Sequence, residues 1–276
     1  MSTSVHLEDS PAAAVTALVD QHGDHIYGLG LRLCGNREDA QDLVQETFLL
    51  AYRKWHQFRG DSEPGTWLYR IAARVCGRHR RPRAGAPPRL ESLEELLPAQ
   101  EKGVVDLGSK TTRPDELLAR SELREAVENG LAILPPKFRL PLALKELMEL
   151  SVEEVAAILN LKPATVKTRL HRARLFLARE LRKELPRTKA PHPDHSKQMC
   201  LDLLQIKQDA MDRGVPFPVP QHELCVRCRS LFSTLDLTRD LCVRLGGGAM
   251  PREVRDMLIA GFPSERDPSS RRVRRK

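Results

Sequence analysis

Along residues 12–82, apolar positions recur every three or four residues, the period of a helix that buries one face. Val15, Leu18, Val19, Ile26, Leu29 and Leu33 mark the first such run, and the stretch CGN ends it. A second helix is predicted in NREDAQDLVQETFLLAYRKW and a third in GTWLYRIAARVCGRHRR, with the polar loop HQFRGDSEP between them. Over 83–115 the period disappears. Pro87, Pro88, Pro98 and Pro114 alternate there with Gly85, Gly103 and Gly108 and with Glu91, Glu94, Glu95, Glu101 and Asp106. That composition predicts an acidic flexible linker, with one helical turn at LESLEELL. Helical spacing returns over 116–186. A connector at 187–198, rich in proline and histidine, leads to a third helical block at 199–262, and residues 263–276 form a basic tail expected to be disordered.

Composition sharpens this to an all-α fold. Two Trp, three Tyr and seven Phe leave aliphatic stripes of Leu, Ala and Val to build the cores. The net charge of +8 points to a polyanionic partner, nucleic acid being the commonest. The first thirty residues lack the basic start and apolar run of a signal peptide, and no stretch approaches the ~18 uninterrupted apolar residues of a membrane span. The expectation is therefore a cytoplasmic protein with no membrane partner. Six cysteines in a reducing compartment are candidates for metal or thiol chemistry rather than for disulfides.

Residues 151–174 carry the most specific pattern. Ser151 and Glu154 form a Ser-x-x-Glu capping box, which starts a helix by satisfying its free N–H groups. Val155, Ala156 and Leu159 supply its inner face, and Asn160 suits a left-handed turn position. Pro163 fits the first position of the next helix, in which Val166 and Leu170 face inward. Its outer face carries Thr165, Lys167, Thr168, Arg169, His171, Arg172 and Arg174. Cap, turn and basic helix in that order predict a helix-turn-helix whose second helix enters the DNA major groove. Lys167 and Arg169 are expected nearest the base edges, with Arg172 and Arg174 on phosphates.

LPPKFRLPLALKELMELSVEEVAAILNLKPATVKTRLHRARLFLARELR resembles region 4 of the extracytoplasmic-function (ECF) group of bacterial sigma factors. EDAQDLVQETFLLAYRKW, the Phe that follows and GTWLYRIAARVCGRHRR resemble their region 2. The resemblance covers about residues 14–185. It implies two helical sigma domains, at 12–82 and 116–186, that bind core RNA polymerase and the promoter −10 and −35 elements. Lys162 stands where the family has a Ser N-cap; it cannot cap, but it can reach a phosphate.

In the first domain Asp39, Asp42 and Glu46 fall on one helix face, which would repel DNA and suits a basic protein surface. By the resemblance this face, with Gln45, docks on the polymerase clamp. Arg70, Arg74 and Arg78 are four apart and make a basic ridge, extended by His79, Arg80 and Arg81. The preceding loop holds Phe58, Arg59, Gly60, Asp61 and Ser62. By the resemblance, loop and ridge open the −10 element and hold a splayed base, a task that polar loop groups and a cationic track suit. Trp55 and Trp67 are read as core, Cys34 and Cys76 as small buried hydrophobes, and the histidines of HGDH at 22–25 as surface groups.

In the third block Cys225 and Cys228 form a Cys-x2-Cys, with His222 three residues upstream and Cys200 on the preceding helix. Four such ligands suit tetrahedral zinc. The block resembles a zinc-binding anti-sigma domain, whose usual spacing is His-x3-Cys-x2-Cys; here it is one residue shorter, and His195 and Cys242 are the substitutes for His222. Free thiols on a helical hairpin are the alternative. The resemblance implies a cis-acting regulator, responsive to metal or oxidant, that blocks or activates the sigma core. The connector spans up to ~45 Å, enough for an intramolecular contact, at an effective concentration on the order of millimolar. Two other classes compete: a helix-turn-helix repressor or activator that does not bind core polymerase, and a zinc hydrolase built on HELC. The second lacks the histidine such a motif needs four residues after the first, because position 226 is Val. No nucleophile constellation or phosphate-binding glycine loop is present, so no enzymatic activity is expected.

Overall fold

The structure, a computed structural model, describes residues 9–34, 36–78, 90, 103–105, 115–192, 194–246 and 248–262, with the side chains of 115–120 left aside. The chain divides into two compact units: residues 1–80 with 247–276, and residues 81–246. The block expected at 199–262 is therefore shared between them. His79, Arg80, Arg81, the helical turn at LESLEELL and the basic tail lie outside the described residues.

The first unit packs α1 (Pro11–Cys34), α2 (Arg37–Lys54), α3 (Pro64–Arg78) and α10 (Arg252–Ala260). Local chemistry sets the helix starts. The Ser10 hydroxyl accepts from the Ala13 N–H at 3.3 Å, and Asn36 caps α2 by accepting from the Asp39 N–H at 2.7 Å. The core is aliphatic: Leu18, Ile26, Leu29, Leu43 and Leu68 are fully buried, with Phe48 among them. Trp55 is buried and donates its indole N–H to the Asp9 carbonyl at 3.2 Å; Trp67 is half-buried against it, ring centroids 5.7 Å apart. Cys76 is buried, while Cys34, at the end of α1, is only half-buried. His25 is exposed as expected, but His22 is half-buried, its Nδ1 3.1 Å from the Tyr69 hydroxyl. Burial, and then the charge of His25, lower its pKa.

The second unit holds α4 (Asp115–Ile133), α5 (Pro136–Leu142), a π turn (Ala143–Leu147), α6 (Val152–Leu159), α7 (Pro163–Lys183), α8 (Lys197–Arg213) and α9 (Val226–Gly246). Helix α7 packs against α4, α5, α6 and α9, so it is the spine of the unit. Leu170, Leu175, Leu177 and Leu181 of α7 are buried, as are Leu231, Leu235 and Leu245 of α9. Each such side chain contributes about 1.5–3 kcal/mol of burial. At the end of α9 a Cβ on Gly246 would fall inside the Leu147 backbone carbonyl, so only glycine fits that approach.

The all-α expectation meets one exception among the described residues. β1 (Gly103–Val105) pairs antiparallel with β2 (Arg187–Lys189), with Val104 opposite Thr188. The Val105 N–H donates to the Ser230 hydroxyl of α9 at 2.8 Å, and Leu90 is buried. Part of the expected flexible linker is thus an ordered strand, hydrogen-bonded to the start of the connector. Among the described residues of the linker, Leu90, Val104 and Val105 are buried.

Candidate nucleic-acid interface and thiol cluster

Helices α6 and α7 form the expected helix-turn-helix. Ser151 accepts from the Glu154 N–H at 3.1 Å while the Glu154 carboxylate accepts from the Ser151 N–H at 2.7 Å, closing the capping box. Asn160 adopts φ 53° and ψ 52°, a left-handed C-cap that reverses the chain. Pro163 opens α7; Lys162 at the N-cap makes no side-chain capping bond. Val155, Val166 and Leu170 have no exposed surface, and Ala156 is buried with them.

On the outer face of α7, Lys162 and Thr168 are exposed, and Thr165, Lys167, Arg169 and Arg172 are half-buried. The Thr168 hydroxyl donates to the Ala164 carbonyl at 2.9 Å. Arg172 donates to the Leu90 carbonyl, its guanidinium 5.1 Å from the Phe138 ring centroid.

His171 and Arg174 do not face outward. Both are buried, at 5% and 3% exposure, a correction to placing them on the open face of the recognition helix. The physical reason is α8. Arg174 Nη1 donates to Asp212 Oδ1 at 2.6 Å and to Gln208 Oε1 at 3.0 Å; its Nε donates to Glu146 Oε1 at 2.7 Å. His171 Nε2 lies 3.1 Å from Asp212 Oδ2. Lys167 Nζ lies 3.6 Å from Asp209 Oδ1, and Arg239 of α9 reaches Glu146 at 3.8 Å. Burial pushes the Asp212 carboxyl up, but the His171 hydrogen bond and the Arg174 charge outweigh it and hold the group below the usual carboxylate range. Burial likewise opposes the Arg174 charge; Glu146 and Asp212 overcome it and raise the guanidinium.

In the first unit Asp39 and Asp42 are exposed on α2, Gln45 and Glu46 are half-buried, and Leu43, Thr47 and Ala51 are buried on another side. The acidic face is not isolated. Arg78 Nη2 donates to Glu46 Oε1 at 2.6 Å, so a residue expected at the −10 element pairs with one expected at the polymerase. Arg70 is half-buried, and Arg74 and Arg78 are exposed. Phe58 stacks on Trp55 at 5.0 Å and tilts against Trp67 at 5.4 Å, which anchors the loop, while Arg59 and Asp61 are exposed and Ser62 half-buried. Gly60, at φ 76°, makes the bend in that loop.

Helix α10 lies on the same unit. The Gln45 amide donates to Met257 Sδ at 3.1 Å, Arg255 Nη2 donates to Asp20 Oδ1 at 2.6 Å, the Met250 N–H donates to Asp24 Oδ1 at 2.8 Å, and Phe262 stacks on Tyr52 at 5.4 Å.

Cys200, Cys225 and Cys228 come together with their Sγ atoms all within 4.8 Å of one another, Cys200 and Cys228 at 3.7 Å. Cys225 immediately precedes α9, and its Sγ accepts from the Cys228 N–H at 3.4 Å, so the cluster sits on a helix N-terminus that favours negative sulfur. Burial, together with the neighbouring thiols, pushes the Cys228 thiol up; burial also raises Cys200. Three crowded, largely dry thiols suit a borderline or soft metal ion, since zinc–sulfur bonds of about 2.3 Å place tetrahedral ligands at about this spacing. His222 is not in the cluster. It sits in a short 3-10 turn (Gln221–Glu223) with its side chain 82% exposed.

Sequence reasoning missed Glu146, Gln208, Asp209 and Asp212. A signal was present: KQDAMDR places Asp209 and Asp212 three apart on one helix, opposite in charge to α7. Met257 and Arg255 carried no comparable mark.

Residues 18–85 match the family described as Sigma-70 region 2, and residues 124–177 match Sigma-70, region 4. The ECF RNA polymerase sigma factor SigW of Bacillus subtilis is 33% identical over 172 residues, 61% of this chain and 89% of that protein. The RNA polymerase sigma-H factor of Pseudomonas aeruginosa is 34% identical over 163 residues, 58% of this chain and 82% of that protein. With the ECF RNA polymerase sigma factor SigE of Mycolicibacterium smegmatis the identity is 35% over 177 residues, 62% of this chain and 63% of that protein's length. The two family matches fall on the helices that hold the α2 face, the α3 ridge and the helix-turn-helix, and with the SigW relative they show that the chain belongs to the ECF group of the sigma-70 family.

Proposed function

We propose that this chain is a promoter-specificity subunit of RNA polymerase whose binding surfaces are gated in cis by its own C-terminal segment. As an ECF sigma factor it binds core RNA polymerase and directs promoter-specific initiation, without enzymatic activity of its own. The observation that carries this reading is the pairing of a region 2 match with a region 4 match that ends in a capped helix-turn-helix. On this reading the α2 face of Asp39, Asp42, Gln45 and Glu46 meets the polymerase. Loop 58–62 and the Arg70, Arg74 and Arg78 ridge work at the −10 element. Lys162, Thr165, Lys167, Thr168, Arg169 and Arg172 work at the −35 element. The setting is the cytoplasm, where polymerase acts; no helix among the described residues is long and apolar enough to cross a membrane.

The gating reading is supported by the chemistry of α8. Asp209 and Asp212 set carboxylates against Lys167, His171 and Arg174, as phosphates would be set in a groove. It is supported again by α10, whose Met257 takes the Gln45 amide on the proposed polymerase face. Both contacts compete with a partner, so the expected direction is inhibition. A metal ion, zinc by the chemistry of the donors, is proposed at Cys200, Cys225 and Cys228 as the responsive element. Cys200 lies near the start of α8 and Asp212 near its end, so an event at the thiols acts on the helix that holds Arg174.

Run-off transcription with core enzyme tests the first part; failure to initiate at any specific start site sinks it. For the gate, Asp209→Asn on the full chain removes the charge of the half-exposed pair with Lys167 while the bonds of Asp212 to Arg174 and His171 stay in place. Promoter-DNA affinity should rise several-fold at low salt. Unchanged affinity in this variant and in a chain cut after Lys189 would sink the gating reading.

A further inference from the structure

We propose that His195, and not His222, is the fourth ligand of the thiol site, giving a three-sulfur, one-nitrogen centre for a divalent ion of zinc's class. This rests on the metal reading of the Cys200, Cys225 and Cys228 cluster and names what completes it. Three thiols fill three corners of the tetrahedron that structural zinc takes, so a fourth donor is required.

His222 is a poor fourth donor. Its side chain stands 82% exposed, with the Glu223 carboxylate 4.0 Å from Nε2. The turn that carries it, Gln221–Glu223, is anchored at its C-cap by the Leu224 N–H donating to the Gln221 carbonyl, which fixes the direction of the chain entering Cys225. Cys242 fails for another reason. It lies on α9 fourteen residues beyond Cys228 (242 − 228), about 21 Å along the helix at 1.5 Å per residue. Its electrostatic neighbours are Glu146 and Arg174.

His195 lies one residue before Ser196, the N-cap of α8, and five before Cys200. Its Nε2 is 3.2 Å from the carbonyl oxygen of Glu223, two residues before Cys225. A carbonyl only accepts, so Nε2 carries the proton in that bond, and in the neutral ring Nδ1 keeps its lone pair. Metal-bound histidines are held in just this way, one ring nitrogen donating to a backbone carbonyl while the other binds the ion. The same bond ties the segment entering α8, which brings Cys200, to the segment entering α9, which brings Cys225 and Cys228. The ring lies beyond the three-sulfur set itself, so ligation through Nδ1 requires the His195 segment to move toward the thiols.

Cobalt(II) titration of the purified full-length chain tests this, because its visible bands report tetrahedral geometry and its near-ultraviolet charge-transfer bands report sulfur ligation. Wild type and His222→Ala should each bind one equivalent with the same spectrum. His195→Ala should bind at least about tenfold more weakly, the scale on which even outer partners of metal ligands matter, with weakened tetrahedral bands. His195→Cys should retain binding and shift the spectrum toward four sulfurs, which separates a ligand from a residue needed only for folding. The proposal is overturned if His195→Ala matches wild type, or if the loss follows His222→Ala instead. If wild type binds neither cobalt nor zinc, the metal reading fails and the proposal falls with it.

Discussion

Arg174 shows how one side chain can change its meaning between sequence and fold. On a helical wheel it continues a basic face; in the structure it is a buried cation held by Glu146, Asp212 and Gln208. Buried ion pairs add little net stability over apolar packing, but removing one partner strands the other charge, at a cost of about 3–5 kcal/mol. Asp212→Ala should lose about that much in urea unfolding, and pairing it with Arg174→Met should restore most of it. The sign of the pH dependence follows from the depressed Asp212 carboxyl. Its contribution is complete above the unfolded carboxylate value of about 3.9 and is lost as pH falls through the lower folded value. The stability gap between wild type and Asp212→Asn should therefore narrow as the solution is acidified below about pH 4. Gly246 makes a second prediction at this scale. Gly246→Ala drives a Cβ into the Leu147 backbone, and a lowered melting temperature, about 1–3 kcal/mol of overpacking, is expected.

At the scale of the element, α6 and α7 differ in how they begin. The reciprocal capping box starts α6, and Ser151→Ala should cost about 0.5–2 kcal/mol. Helix α7 starts from an uncapped Lys162 with extended backbone, φ −73° and ψ 141°, which a serine would fit. Lys162→Ser should stabilise the chain by roughly 1 kcal/mol in thermal unfolding. If Lys162 holds a phosphate, the same change should reduce the salt dependence of promoter binding by about one counterion. A stability gain with a shallower salt slope would show that capping was given up for DNA contact; an unchanged slope would remove Lys162 from the interface. Helix α9 shows the same economy in its buried threonines: Thr234 and Thr238 donate to the carbonyls four residues back at 2.8 and 2.7 Å, so neither hydroxyl is stranded.

At the scale of the whole molecule, the C-terminal third of the chain divides between the two compact units. Helices α8 and α9 belong with region 4, and the segment from Gly247 belongs with region 2. Two surfaces can therefore be released separately. A chain ending at Gly246 should gain affinity for core polymerase, read by competition binding, because Met257 and Arg255 leave the first unit. Its −35 DNA affinity should not change, because α8 stays. Equal changes in both measurements would mean that the two contacts do not act independently. The net charge of +8 makes all such DNA measurements steeply salt-dependent, so they must be compared at one ionic strength.

Helical periodicity, caps and turn residues were enough to place the helices and the helix-turn-helix turn at Asn160, because those features depend on neighbours three or four residues apart; the order of the two sigma regions was legible only through the resemblance to the ECF family. Cys200, Cys225 and Cys228 were legible for a related reason, since few residue types carry that chemistry. What tertiary structure alone decided involved partners far apart in the chain: the pairing of β1 with β2, the burial of His171 and Arg174 beneath α8, and the exposure of His222. A basic helix reads the same in sequence whether a phosphate or an aspartate lies opposite, because charge names the kind of partner it wants and only packing determines which partner arrives.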